Sequence, residues 1–266
     1  MEREESEATI PRFIASSAIS RCVQGVCSGQ VAYDFTRILL GLKTLAGSLR
    51  VARERPLAVL LIPRDGGPAR HLEAGPGFVF HIAQGDDRDD GTLELDLVRY
   101  PEFPRLERPA SVFAPDSPVL APKIERMNID PVAGTCRTRP LGTRIAELPR
   151  VAPGSGGPRR YLFSIGAPPS GRAPFLTCIQ RLDTQTGEDL VQEFHPDLPG
   201  EPMPIPGGSD EAAWVLTLVY RAAARRTDLV ILRGADLGLQ AVLPLPHATP
   251  PGFHGNWVDA AVPGGS

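Results

Sequence analysis

Two histidines have neighbours that suggest chemistry. His81 ends the apolar run Phe78, Val79, Phe80 in GFVFHIAQGDD, and a dense acidic turn begins five residues later. His254 lies in LPHATPPGFHGNWV between Phe253 and Gly255, with Gly252 and Trp257 close by. Glycines around an imidazole let the backbone turn sharply and bring the ring inward. Taken singly, a histidine on an apolar strand or turn is ordinarily a core residue with its hydrogen bonds satisfied, and the sharper reading is a group that holds something. His71 in ARHLEAG and His195 in EFHPD fall in polar stretches and read as surface loops. The four cysteines, at 22, 27, 136 and 178, form no CxxC pair, and the CVQGVC spacing is too wide for a zinc knuckle. That usage implies a reduced, intracellular compartment. No Ser–His–Asp or paired-carboxylate pattern is visible.

The elements that must position these residues are short strands. LAVLLIPR (57–64), GFVFHIA (77–83), TLELDLVRY (92–100), RYLFSIGA (160–167), PFLTCIQRLD (174–183), AWVLTLVYR (213–221) and DLVILRG (228–234) are rich in β-branched and aromatic residues. Gly, Pro or Asp bounds most of them. TLELDLVRY alternates in a way that predicts one exposed face. RDDGT (88–92) and DTQTGED (183–189) predict hairpins. FTRILLGLKTLAGSL (35–49) has helical spacing, weakened by Gly41 and Gly47. The Gly/Pro-rich stretch 151–160 has strand patterns on both sides, so it is a loop within one domain. The expected class is all-β, a sandwich or propeller without exact repeats.

Composition narrows the function. With 28 Lys+Arg against 31 Asp+Glu, scattered along 266 residues, the chain lacks the concentrated positive face that nucleic-acid binding needs. The acidic start MEREESEATIPRF is neither a secretory signal nor a transit peptide, and no apolar run reaches the length of a membrane span. A cytoplasmic or peripheral membrane protein is expected.

FVFH and PGFHGNW together resemble the carotenoid cleavage oxygenase family (retinal pigment epithelial membrane protein-like), which includes retinal-forming oxygenases and retinoid isomerases. LLIPRDGG (60–67), LELDLVRYP (93–101), ELPR (147–150), RYLFSIG (160–166), GEPMPIPG (200–207) and WVLTLVYRAAARRTDLVIL (214–232) follow in the family's order. The resemblance runs from about residue 12 to 258 within a single domain, 1–266, and corresponds to the C-terminal part of the family pattern. It implies part of a seven-bladed β-propeller in which histidines on inner strands converge on a non-haem Fe(II). His81 matches the third ligand and His254 the fourth. Glu147 of ELPR and Glu201 of GEP match glutamates that fix a ligand's other ring nitrogen. His247 is a flanking residue of the fourth-ligand motif. The implied reaction is cleavage of a polyene double bond in a carotenoid or apocarotenoid by O2. The apolar stretch 35–45 resembles the segment by which family members dip into membranes.

The chain also departs from the family pattern. FIASSAIS (13–20) fits the second-ligand motif, with Ala15 where the histidine stands and Ser16 in place of the aspartate. Gln84 replaces the asparagine that follows the third ligand. The first ligand and the N-terminal blades of the family pattern have no counterpart, so a truncated or divergent protein with low or no activity alone is expected. The rival expectation is a non-catalytic scaffold that binds an apocarotenoid or a partner chain. A third is an incomplete gene product that begins further upstream.

Overall fold

The strand-prone runs pair with their sequence neighbours, and that rule generates four antiparallel sheets. The computed structural model describes residues 12–19, 23–44, 46–53, 55–104, 121–153, 158–168, 176–207, 212–250, 252 and 254–257. The first sheet contains β1 (Arg12–Ile19), β2 (Val23–Tyr33), β4 (Ala58–Pro63) and β5 (Arg70–Glu73) in that order, with β3 (Leu49–Val51) paired to β2. The second runs β6 (Phe78–Asp87), β7 (Leu93–Tyr100), β8 (Lys123–Asp130), β9 (Thr135–Pro140). The third runs β10 (Ala146–Val151), β11 (Tyr161–Gly166), β12 (Cys178–Asp183), β13 (Asp189–Glu193). In the fourth, β14 (Leu198–Pro199) and β15 (Met203–Pro206) both pair with β16 (Ala212–Arg221), followed by β17 (Arg226–Arg233) and β18 (Leu239–Pro244). Successive up-and-down sheets of about four strands are the blades of a β-propeller arrangement.

Among the described residues three cores lie between consecutive sheets, the second also taking in Val31 of β2. Cys27, Val59 and Leu61 pack with Val79, Leu95 and Met127 between the first two. Phe78, Val98 and Ile124 meet Ala146, Leu162 and Leu182 between the second and third. Phe163 and Ile179 meet Val215, Val230 and Leu232 between the third and fourth. The period of two sends alternate residues of β7 to different cores, Leu93, Leu95 and Leu97 to the first, Val98 and Tyr100 to the second. The exposed face expected of TLELDLVRY is therefore absent. Its polar residue on the second face, Asp96, is buried and held by Arg126 Nε at 2.7 Å.

The helix expected over 35–49 shrinks to α1 (Phe35–Leu39), capped by Asp34, and a 3-10 turn, Ala46–Ser48. Gly41, at φ 67°, adopts a left-handed conformation that ends it. Among the described residues no helix is long and apolar enough to cross a membrane.

Both expected hairpins form. Gly91 (φ 82°) and Gly187 (φ 78°) supply the positive φ of their turns. A related turn joins β8 to β9. Asp130 Oδ1 accepts from the N–H groups of Val132 and Ala133 ahead of Gly134, as Asp183 Oδ1 accepts from Gln185 and Thr186 ahead of Gly187. The pattern D-x-x-x-G thus recurs between the third and fourth strands of two sheets.

The leading strands of the sheets run side by side, β1 beside β6, β6 beside β10, and β10 beside β15. This row of strand edges positions the site.

Candidate metal centre

The three leading strands that bear on the site are irregular at the residues in question. On β6, Val79 pairs with Arg99 and His81 with Val98, so Phe80 is an extra residue; Ala83 is extra in the same way. On β10, Glu147 pairs with Ile165 and Arg150 with Phe163, so one residue of Leu148–Pro149 is extra. On β1, Ile14 pairs with Ser28 and Ser16 with Cys27, which leaves Ala15 extra. Such β-bulges re-aim side chains. Residues 147 and 150 of a regular strand would face opposite ways; with the bulge, Glu147 and Arg150 both serve one site. Leu148 has φ 49°, a left-handed conformation that costs a non-glycine residue about 1 kcal/mol or more.

The structure brings His81 and His254 together across 173 residues of sequence. Their ring centroids are 5.2 Å apart at 74°. Each is backed by a buried glutamate. His81 Nδ1 lies 2.6 Å from Glu147 Oε2, and His254 Nδ1 lies 3.0 Å from Glu201 Oε1. An ionised carboxylate only accepts, so each Nδ1 carries a hydrogen, and in the neutral imidazole that leaves the lone pair on Nε2. Carboxylate–imidazole pairs of this kind orient histidine ligands in metal sites.

Glu147 is fully engaged. Its Oε2 also accepts from Leu148 N–H at 2.7 Å, and its Oε1 accepts from the buried Tyr100 hydroxyl. Burial, then the charge of Glu147, push the Tyr100 phenol pKa well above its ordinary value, so it remains a donor. Glu201 follows Gly200, whose N–H bonds to Leu218 of β16, and its Oε2 accepts from Gly255 N–H at 2.8 Å. Phe80, His81, Val151, Arg150, Glu201 and His254 border a cavity of about 430 Å³, within the size range of small-molecule sites.

Several expectations change. His254 is in a coil segment, not on an inner strand, and its side chain is 54% exposed. Contacts to Glu201 help to hold the ring there. His71 is on strand β5 rather than in a loop, with its side chain outward; His195 and His247 are exposed. Gln84 does not face the imidazoles. Its amide donates to Asp96 at 2.7 Å and to the Arg159 carbonyl at 3.0 Å, and its oxygen accepts from Arg159 N–H, bracing the second sheet to the third. The backbone of Ala15 lies on β1, beside the strand of His81, while its side chain lies outside the described residues. Cys27, Cys136 and Cys178 are free thiols, and Cys22 lies outside the described residues. Tyr100 in LELDLVRYP and Arg150 in ELPR belong to the site without a signal of their own type; for Arg150 the sequence signal is the Leu-Pro dipeptide before it, which marks an irregular strand.

Among the described residues no group of three or more His, Cys, Asp or Glu is placed to hold a metal ion. The donors present fit a divalent transition metal in kind, as two imidazoles that each meet a glutamate through Nδ1, and are two in number.

The family model of the retinal pigment epithelial membrane protein matches residues 6–259. The chain is 33% identical over 254 residues to the apocarotenoid-15,15'-oxygenase of Synechocystis sp., covering 92% of this chain and 51% of that protein. It is 30% identical over 216 residues to a carotenoid cleavage oxygenase of Mycobacterium tuberculosis, covering 76% and 42% respectively. Among solved structures, cobalt-substituted Synechocystis apocarotenoid oxygenase superposes with a TM-score of 0.85 at 29% identity, covering 94% of this chain and 53% of that one. The chain spans about half the length of the relatives it matches.

Proposed function

The chain belongs to the retinal pigment epithelial membrane protein family of carotenoid oxygenases, and on that premise we propose that it acts on a carotenoid or apocarotenoid, with O2 as co-substrate, through a non-haem Fe(II) held by His81 and His254. Residues 1–266 act as a single domain in this reading. The observation that carries it is the pair of imidazoles at 5.2 Å, each with Nδ1 committed to a glutamate. When bound, iron supplies the activation of oxygen. The chain's own residues hold the two imidazole lone pairs in place through Glu147 and Glu201, and Phe80 and Val151 offer apolar wall to a polyene in the adjoining cavity.

Ala15 sets the level of activity. A methyl group stands where the family motif has its second histidine, and it brings no lone pair, so the chain alone cleaves its substrate slowly or not at all. The same residue favours a second reading, a scaffold that binds an apocarotenoid or a partner chain without turning it over. Access from a lipid surface is part of the proposal. Phe35, Leu39, Leu40 and Leu42 are all at least half exposed on and just after α1, with Arg37 and Lys43 beside them, as at a membrane interface.

Titration with Co2+ tests the ligand assignment. Uptake of one equivalent is expected, lost in His81→Ala and in His254→Ala and tightened in Ala15→His; uptake unchanged in both alanine variants would remove the assignment. Incubation of the iron-loaded chain with apocarotenoids under 18O2 separates the two functional readings. Labelled aldehydes that depend on both histidines identify a working oxygenase, and retention of apocarotenoid without labelled product identifies the scaffold.

A further inference from the structure

His81 and His254 reach one cavity by unlike routes. His81 is fixed by the β6–β7 ladder. His254 lies outside the described strands, and side-chain ties between its coil and the sheets help to hold its ring. Glu201 supplies two of these ties, to the ring and to Gly255 N–H. Arg150 supplies another from β10: its Nη2 donates to Asn256 Oδ1 at 2.8 Å, while its Nη1 lies 3.8 Å from Glu201 Oε1. The coil is also pressed against β15, since a Cβ on Gly255 would meet the Met203 sulfur at 2.7 Å.

We propose that Arg150 is a positioning residue for His254, its guanidinium spanning Glu201 and Asn256 so that the coil is pinned on the far side of the ring. A guanidinium is suited to this because its N–H groups project in a fixed planar fork towards two partners at once. A lysine ammonium at the same place could satisfy one partner but not fix the angle between them. The bulge at Leu148–Pro149 is what brings Arg150 to the side that Glu147 serves, so one strand supports both imidazoles. The consequence for metal binding rests on the reading of His254 as a ligand; the pinning of the coil does not.

The test compares the full chain with Arg150→Gln, Arg150→Lys and Asn256→Ala by amide hydrogen exchange without metal and by Co2+ titration. In Arg150→Gln, exchange at Gly255 and Asn256 should quicken about tenfold or more while β6 amides keep their rates. Cobalt affinity should fall about tenfold, the lower end of the range for groups behind a ligand. Arg150→Lys should lie between Arg150→Gln and the unaltered chain, and Asn256→Ala should reproduce part of the loss. Unchanged exchange at 255 and 256 in Arg150→Gln overturns the proposal. If the unaltered chain takes up no Co2+, the metal reading fails while the exchange data still decide the role of Arg150. Should Arg150→Gln fail to fold, Asn256→Ala, whose side chain is exposed in a coil, decides it by the same exchange measurement.

Discussion

Glu147 shows how much of the site was legible in single residues. The ELPR motif pointed to it as a backing carboxylate, and it lies 2.6 Å from His81. Its third donor, Tyr100, was hidden, because strand order and the β10 bulge decide which hydroxyl meets Glu147 Oε1. Tyr100→Phe keeps the ring that packs against Phe80 at 5.4 Å and deletes only the donor. A buried carboxylate oxygen left without its donor costs about 1.5–3 kcal/mol of stability. If Tyr100 also holds His81 in place through Glu147, Co2+ affinity should drop by about tenfold. Urea unfolding and cobalt titration of the same variant check both. Lost stability with full cobalt affinity would mean that Tyr100 supports the core and leaves the imidazole where it was.

At the scale of elements, the strands with strong apolar runs were readable, and those with charges in the pattern were not. β8, KIERMNID, carries Lys123, Glu125 and Arg126, yet Ile124, Met127 and Ile129 are buried, because Arg126 pairs with Asp96 across the ladder. β9 carries Arg137 and Arg139 outward at the edge of its sheet, where charge guards against edge-to-edge pairing. The turns were more legible, since an aspartate that accepts its own backbone N–H groups needs no distant partner. Asp183 goes further. The Arg160 guanidinium, with the N–H groups of Gln185 and Thr186, holds its carboxyl at about 2. In the unfolded chain an aspartate titrates near 3.9. The ionised form therefore stabilises the fold fully above about pH 4, and the contribution is lost as pH falls towards 2. Arg160 is half exposed, so screening by solvent reduces the effect to about 1 kcal/mol. Asp183→Asn should show that deficit at pH 6 and almost none near pH 2, as read by urea midpoints. A deficit that stayed constant across this range would assign it to lost turn geometry.

The whole molecule explains why the site is divided as it is. Among the described residues three cores join the four sheets in series, and the middle one also takes in Val31 of the first sheet. The site crosses that series: His81 belongs to the second sheet, Glu147 and Arg150 to the third, and Glu201 to the segment leading into β15 of the fourth. Two cores lie between the second sheet, which carries His81, and the fourth, which carries Glu201. The core between the first and second sheets lies outside that path. The serial arrangement was not readable from strand patterns alone, because the same alternation suits a sandwich. Leu232→Ala, in the core between the third and fourth sheets, and Leu61→Ala, in the core between the first and second, remove similar fully buried side chains. Each should cost about 2–5 kcal/mol. Leu232→Ala should also weaken Co2+ binding, because the fourth sheet carries Glu201 and through it His254; Leu61→Ala should leave the affinity of the folded fraction unchanged. Parallel denaturation and cobalt titration make the comparison. Equal loss of affinity in the two variants would show that the site follows the stability of the whole fold and not the packing of the sheets it bridges.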